Sequence, residues 1–147
     1  MNSPNASIDS AVLAPPGPRA GQQRAYWRAP HGPSLALAIA RLAQAHPGIG
    51  LAVARDTQSA QALEVEITAF AGPALPVLHF ADWETLPYDL FSPHPDIVSQ
   101  RIAALYRLPA LARGVLVVPV ATLMQRLAPR EFIAGASLVL RRGERMD

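Results

Sequence analysis

The chain has 147 residues, about the size of one ordinary domain. Half of the residues are apolar, 16% are charged and the mean hydropathy is +0.16, which excludes a disordered polyelectrolyte and favours a packed globular body. Cysteine is absent, so disulfide scaffolds, thiolate zinc sites and cysteine nucleophiles are excluded. All 13 basic residues are arginine, which also excludes Schiff-base lysines and the lysine of a phosphate-binding P-loop.

The net charge of +2 conceals three regions of different sign. Residues 1–55 carry a net charge of +4, residues 56–100 carry −7 without a single arginine, and residues 101–147 carry +5. The isoelectric point near 9.7 permits nucleic-acid binding, although it depends on a handful of arginines. The longest apolar stretch has 11 residues, against about 20 for a membrane span, and the N-terminus lacks a signal-peptide pattern. We therefore expect a cytoplasmic location and no membrane contact.

The first third of the chain predicts a leader, a helix and a strand. Residues 1–22 are rich in Asn, Ser, Ala and Pro and predict a disordered leader. A helix is predicted from Ser34, as its N-cap, to the Pro-Gly pair at 47–48. Its predicted inward stripe consists of Leu35, Ile39 and Leu42. Residues 49–54 lack polar alternation, which predicts a parallel strand covered on both faces.

A second helix, a second strand and a long loop are predicted next. Asp56 or Thr57 can cap the helix, which runs to Phe70 and ends at the Gly-Pro pair 72–73. The predicted apolar stripe consists of Leu63, Ile67 and Phe70. Residues 76–80 predict a short buried strand, and residues 81–95, with three prolines, predict a loop.

The last third predicts a third helix and a third strand. The helix begins at Asp96 and stops near Pro109. Its predicted inward residues are Ile97, Ile102, Leu105 and Tyr106. Residues 114–118 predict a strand and residues 121–127 a short helix, while residues 137–140 resemble one strand of a further unit. Strands that alternate with helices at this spacing predict an α/β fold with a parallel sheet flanked by helices.

Residues 28–34 precede the first helix, where a P-loop would stand in a nucleotide-binding sheet. A working loop needs glycines, backbone N–H donors, a lysine and a Ser or Thr hydroxyl. Gly32 is present, but Pro30 and Pro33 remove donors and no Gly-Lys-Ser/Thr element occurs. The pattern therefore favours a cap role for Ser34 over nucleotide binding.

The segment 79–96 concentrates four acidic residues, two histidines and four aromatic residues. A catalytic interpretation pairs Asp82 with Glu84 as acid and base. A metal interpretation groups Asp89, His94 and Asp96. Two further interpretations involve the apolar side chains: they pack the loop onto the sheet edge, or they form a contact surface for a partner. The side chains in question are Trp83, Leu86, Tyr88 and Phe91.

Arginines are frequent in the last third of the chain and could form a patch that contacts phosphates or a partner, against the simpler interpretation of a solvated surface. They are Arg126, Arg130, Arg141, Arg142 and Arg145. His31 and His46 are interpreted as a loop residue and a helix-end residue. No nucleophile elbow of the Gly-x-Ser-x-Gly type occurs.

Two stretches carry a resemblance to a known family. The first is DWETLPYD at 82–89, which continues through FSPH at 91–94, and the second is GVLVVPV at 114–120, followed by TLMQR at 122–126. Together they resemble the N-terminal region of the Mfd family, the bacterial transcription-repair coupling factors. The resemblance extends from about Gly21 to the end of the chain, and before Ala81 it is a likeness of pattern only.

The resemblance implies a large DNA-repair protein that displaces stalled RNA polymerase by ATP-driven translocation on double-stranded DNA and recruits the excision machinery through UvrA. It also implies a RecA/helicase-like α/β domain similar to the first domain of UvrB, with a degenerate nucleotide loop and a second domain inserted in it. On this basis, residues 23–127 are expected to form the first part of that domain, and residues 128–147 the truncated beginning of the inserted domain that contacts UvrA.

Two hypotheses about function remain at this point. In the first, the chain is a non-catalytic scaffold and interaction module, without a cofactor or metal of its own, while ATP and magnesium serve the full-length family. In the second, it is a piece of a UvrB-like or other nucleotide-using helicase or enzyme. The candidate partner contacts are Trp83, Tyr88, Phe91, Arg141 and Arg142.

Overall fold

The computed structural model describes Pro15, Gly17 and residues 23–27, 32–85 and 89–136. Within these residues the first helix, α1, spans Pro33–Ala45 and is followed by strand β1, Ile49–Ala54. The second pair is helix α2, Thr57–Ala71, and strand β2, Val77–His79. Helix α3, Pro95–Arg107, leads into strand β3, Gly114–Pro119, and a last described helix, α4, spans Arg130–Ala136. Short 3₁₀ turns occupy Leu108–Ala110 and Val120–Met124.

The three strands form one parallel sheet in the order β1-β3-β2. The predicted α/β fold with a parallel sheet flanked by helices is therefore confirmed. The central strand begins at Gly114. This position requires glycine because a Cβ atom there would lie 2.8 Å from the carbonyl oxygen of Pro76. That close approach lets the N–H of Val115 donate to the same oxygen at 2.9 Å, which sets the β2–β3 register.

One face of the sheet, here called the closed face, is covered by α1 and α2. Val115 and Val117 of β3 point into it and are almost fully buried. The helices meet through small side chains, because Ala36, Ala40 and Ala43 of α1 are buried while the predicted stripe of Leu35, Ile39 and Leu42 is only partly buried. Ile39 packs against the core as predicted, but the most buried face of the helix lies about one residue further round, since alanines allow the closest approach of two backbones.

The opposite face, here called the open face, is covered by α3 over β2 and β3 but not over β1. Leu51 is 55% exposed, and Ile49 and Val53 are exposed on the same side of β1. The prediction of a strand covered on both faces is wrong within the described residues. The apolar side chains of β1 alternate between a buried and an exposed side, although the sequence does not alternate.

Several predicted helix ends and faces change in the structure. Helix α1 is capped by Gly32 rather than Ser34, because Pro33 has the φ angle of a first helical position and starts the helix earlier. Helix α3 begins at Pro95, one residue before the predicted start at Asp96, and His94 is its N-cap. Asp56 caps α2 as predicted, and Gly72 ends it with φ 67°, a left-handed value that favours glycine.

The inward residues of α2 and α3 also differ from those predicted. Ile67 is fully buried and Leu63 packs against the core, but Phe70 is exposed. In α3 the buried residues are Arg101 and Ala104. Of the predicted inward residues, Leu105 packs against the buried cluster and Ile97 is partly buried, whereas Ile102 and Tyr106 are exposed. The helix predicted over 121–127 is a 3₁₀ turn that ends at Met124, and α4 was not predicted at all. The strand predicted at 137–140 lies outside the described residues, as does nearly all of the predicted leader.

Candidate functional site

The segment that follows β2 is held at its base by the buried side chain of Arg101. The residue is 2% exposed, and the Cζ atom of its guanidinium lies 4.2 Å from the ring centroid of Phe80 and 4.0 Å from that of Trp83. It also donates a short hydrogen bond from Nη1 to the carbonyl oxygen of Ala81. Stacking on two rings and one charge-assisted hydrogen bond compensate a cation for its lost hydration.

Helix α3 delivers Arg101 to this position because the residue faces the sheet one turn before Ala104. Burial lowers the pKa of Arg101, and the negative charge of Asp82 partly opposes that shift. A guanidinium is protonated in proteins at neutral pH, so Arg101 is a buried cation. Sequence reasoning missed this residue because it assigned the inward face of α3 to apolar side chains.

Asp82 fastens the same segment to the turn after β3. Its Oδ1 accepts hydrogen bonds from the hydroxyl of Thr122, at 3.2 Å, and from the side-chain amide of Gln125. Thr122 is buried, so these bonds are shielded from water. The arrangement gives Asp82 a structural role in joining two loops and does not bring it together with Glu84 as an acid–base pair.

The backbone turns sharply at Glu84, which has φ 58°. Among the described residues, it is the one non-glycine residue in the left-handed region. The residues just before this turn are held by Arg101 and Asp82. Residues 86–88, which include the candidate contact Tyr88, lie outside the described part of the chain.

Beyond the turn, Leu90 and Phe91 are 96% and 77% exposed. Trp83 and Phe91, both sequence candidates for partner contact, therefore have different environments. Trp83 is half-buried against Arg101, which supports the packing interpretation, while Phe91 has its ring in solvent, which supports the contact interpretation.

The metal interpretation of this segment finds no support among the described residues, where no three His, Asp or Glu side chains lie close enough to hold an ion. His94 Nδ1 lies 3.4 Å from Asp96 Oδ2 and accepts from the Asp96 N–H, so the pair closes the N-terminal turn of α3. His79 is paired with Glu64 across α2 and β2, at 3.2 Å. His46 ends α1 as predicted, and His31 lies outside the described residues.

Among the described residues, the arginines of the last third do not form a phosphate-binding site. Arg126 and Arg130 are exposed, and Arg141, Arg142 and Arg145 lie outside the described residues. Among the described helices, none is both long enough and apolar enough to cross a membrane.

The fold places the chain in the class of parallel α/β proteins, with a sheet whose closed face is covered by helices and a segment after β2 that Arg101 and Asp82 hold at its base. Comparisons with known proteins identify the family. The chain is 46% identical over 129 residues to the transcription-repair-coupling factor of Escherichia coli and 38% identical over 111 residues to that of Haemophilus influenzae. These alignments cover 88% and 76% of this chain but only 11% and 10% of the two relatives.

The chain is thus homologous to a segment of the transcription-repair-coupling factors, and the resemblance seen in the sequence is confirmed. It spans about a tenth of the length of the curated relatives it matches. No family model matches it.

Proposed function

We propose that this chain is the N-terminal segment of a DNA-repair protein that displaces stalled RNA polymerase by ATP-driven translocation on double-stranded DNA and recruits UvrA. The observation that carries the proposal is the identity of 46% over 88% of the chain to a protein named transcription-repair-coupling factor. RNA polymerase, UvrA and double-stranded DNA are the proposed partners of the whole protein, and the cytoplasm is its proposed location.

Within that protein, the proposed role of this segment is a non-catalytic scaffold and interaction module. Its most constrained polar groups hold the fold together: Arg101 is enclosed by rings, and Asp82 is engaged by Thr122 and Gln125. Side chains fixed in this way are not free to bind a substrate. What the segment offers to a partner is the exposed apolar pair after the turn at Glu84, Leu90 and Phe91.

ATP and magnesium, which the family implies, do not fit the residues at the start of α1. Pro33 takes the first helical position and removes one of the N–H donors that a phosphate would need. The chain has no lysine to neutralise the outer phosphates. ATP would therefore act elsewhere in the whole protein.

A nucleotide titration tests this assignment against the second hypothesis, a nucleotide-using helicase or enzyme. A fluorescent ATP analogue is titrated with the purified chain in the presence of magnesium, with a P-loop ATPase as the positive control. The expected result is no saturable signal. A dissociation constant in the micromolar range would contradict the scaffold role and favour the enzyme hypothesis.

A further inference from the structure

Residues 81–84, here called the strap, are held by side chains and not by the sheet. The backbone pairing after β2 ends at Phe80, whose N–H donates to the carbonyl oxygen of Val117 at 2.9 Å. Among the described residues, no backbone hydrogen bond joins residues 81–84 to another element. Ala81 is nevertheless only 7% exposed, and Asp82 and Trp83 are half-buried. The closed position of the strap therefore depends on side-chain contacts.

Two anchor residues, Arg101 and Asp82, connect the strap to two different elements. Arg101 of α3 donates to the carbonyl oxygen of Ala81, and its guanidinium lies over the ring of Trp83. Asp82, which stands between these two residues, accepts two side-chain hydrogen bonds from the turn after β3. Because Arg101 contacts the neighbours of Asp82 on both sides, loss of either anchor loosens the other. The opposite charges of the two anchors also attract each other.

The closed strap carries three costs that opening would relieve. Arg101 is a buried cation, which water would hydrate again in the open state. Glu84 has φ 58°, a backbone conformation that is strained for a residue with a Cβ atom. Gln125 donates to Asp82, but its Oε1 is buried without a donor among the described residues. Contacts and costs that oppose each other in one short segment favour an element that opens locally before the rest of the fold.

The anchors also border an apolar cavity on the open face. This cavity has a volume of about 130 Å³ and is lined mainly by apolar side chains of α3 and β3, including Ala104. Phe80, over which Arg101 is stacked, and Thr122, which donates to Asp82, belong to the same lining. Opening of the strap would therefore remove a contact from each of these two parts of the cavity wall.

We propose that the strap opens as one unit while the rest of the protein stays folded, and that opening gives solutes access to the apolar cavity. Arg101 and Asp82 act as interdependent anchors, so the strap stays closed only while both are engaged. The opening concerns contacts within this chain alone and is independent of the proposed role in DNA repair.

Thiol labelling of the folded 147-residue chain measures the opening. The chain has no cysteine, so a single introduced thiol reports on one position. Ala81→Cys places the thiol in the strap, and Ala104→Cys places it in the cavity wall. Ala60→Cys places it in the closed-face core, where the alanine is 0% exposed. The probe is dithiobis(nitrobenzoic acid), and circular dichroism checks that each variant is folded.

The thiols of Ala81→Cys and Ala104→Cys should react about tenfold faster or more than that of Ala60→Cys. Their rates should also respond less to low urea concentrations, because local opening exposes little surface. Arg101→Met and Asp82→Ala should each raise the two rates several-fold, and together by less than the product of the single effects. Asp89→Ala, which removes an exposed carboxylate, is the matched control and should leave both rates unchanged.

Equal labelling rates in Ala81→Cys and Ala60→Cys would overturn the local opening. Single effects that multiply in the double variant would overturn the interdependence of the anchors. A rate in Ala104→Cys that is the same with and without the anchors would overturn the access to the cavity. If Ala81→Cys does not fold, acrylamide quenching of Trp83 in a Trp27→Phe background decides: a rise in both anchor variants supports the opening, and no rise overturns it.

Discussion

The two faces of the sheet use the same three strands in different ways. On the closed face, α1 and α2 bury a continuous core that includes Val115, Val117 and Ile67. On the open face the buried cluster consists of Phe80, Ala104 and Val118, and the outer side of β1 has no cover among the described residues. The closed face is therefore held by the larger apolar core, whereas the open face combines a smaller apolar cluster with the polar contacts of Arg101 and Asp82.

The largest expected effect comes from breaking the closed face at Ile67. This side chain is fully buried, so Ile67→Ala leaves a cavity and should lower the free energy of unfolding by about 2–5 kcal/mol. Urea unfolding followed by circular dichroism measures the change. Val65→Ala, on the exposed side of the same helix, is the control and should stay within about 0.5 kcal/mol of the parent. Equal losses in both variants would contradict the assignment of the core.

The next effect tests the open face at Arg101. Replacing it by methionine keeps an apolar stem between the rings but leaves the carbonyl oxygen of Ala81 without its donor, at an expected cost of about 1–3 kcal/mol. In a Trp27→Phe background, the emission of Trp83 should also shift to the red because its ring loses cover. Arg107→Met, on the exposed part of α3, is the control. An unchanged Trp83 spectrum would contradict the stacking.

A pH titration tests the helix that covers the closed face. Hydrogen bonds from Ser59, first from its side chain and then from its backbone N–H at 2.7 Å from Oδ1, together with Arg55, lower the pKa of Asp56 from 3.8 to about 2. Because the folded pKa is the lower one, this carboxylate stabilises the fold above pH 4, and its contribution is lost as the pH falls from about 4 to about 2. Asp56→Asn keeps a capping side chain and should flatten the melting temperature over that interval. Asp89→Asn is the matched control, and an unchanged profile in Asp56→Asn would contradict the assignment.

The smallest expected effect is on the outer side of β1. Leu51 is 55% exposed, so Leu51→Ser should change the free energy of unfolding by no more than about 0.5 kcal/mol. Val117→Ala, a buried change on the neighbouring strand, gives the contrasting loss. A cost for Leu51→Ser close to that of Val117→Ala would show that the outer side of β1 is covered in solution, for example by self-association.

Local signals predicted most of the elements correctly. The apolar run 49–54 and the Asp56 cap coincide with β1 and with the start of α2, because strand and cap preferences depend on neighbouring residues. The family was likewise readable from contiguous residues such as 82–89 and 114–120. Faces were predicted less well: Ile39 and Leu105 pack against the buried clusters as predicted, but the most buried residues of α1 and α3 are others, and Arg101 was not recognised as buried.

The sequence by itself determined the order of helices and strands, the parallel α/β class, the homology to transcription-repair-coupling factors and the strong acidity of residues 56–100. Tertiary structure decided which side of each element is buried, because burial depends on what packs against an element and not on its own periodicity. It also decided that Trp83 is engaged and Phe91 exposed, although both are aromatic residues of the same segment. The physical reason is that a guanidinium from α3, 18 residues further along the chain, reaches Trp83 and not Phe91.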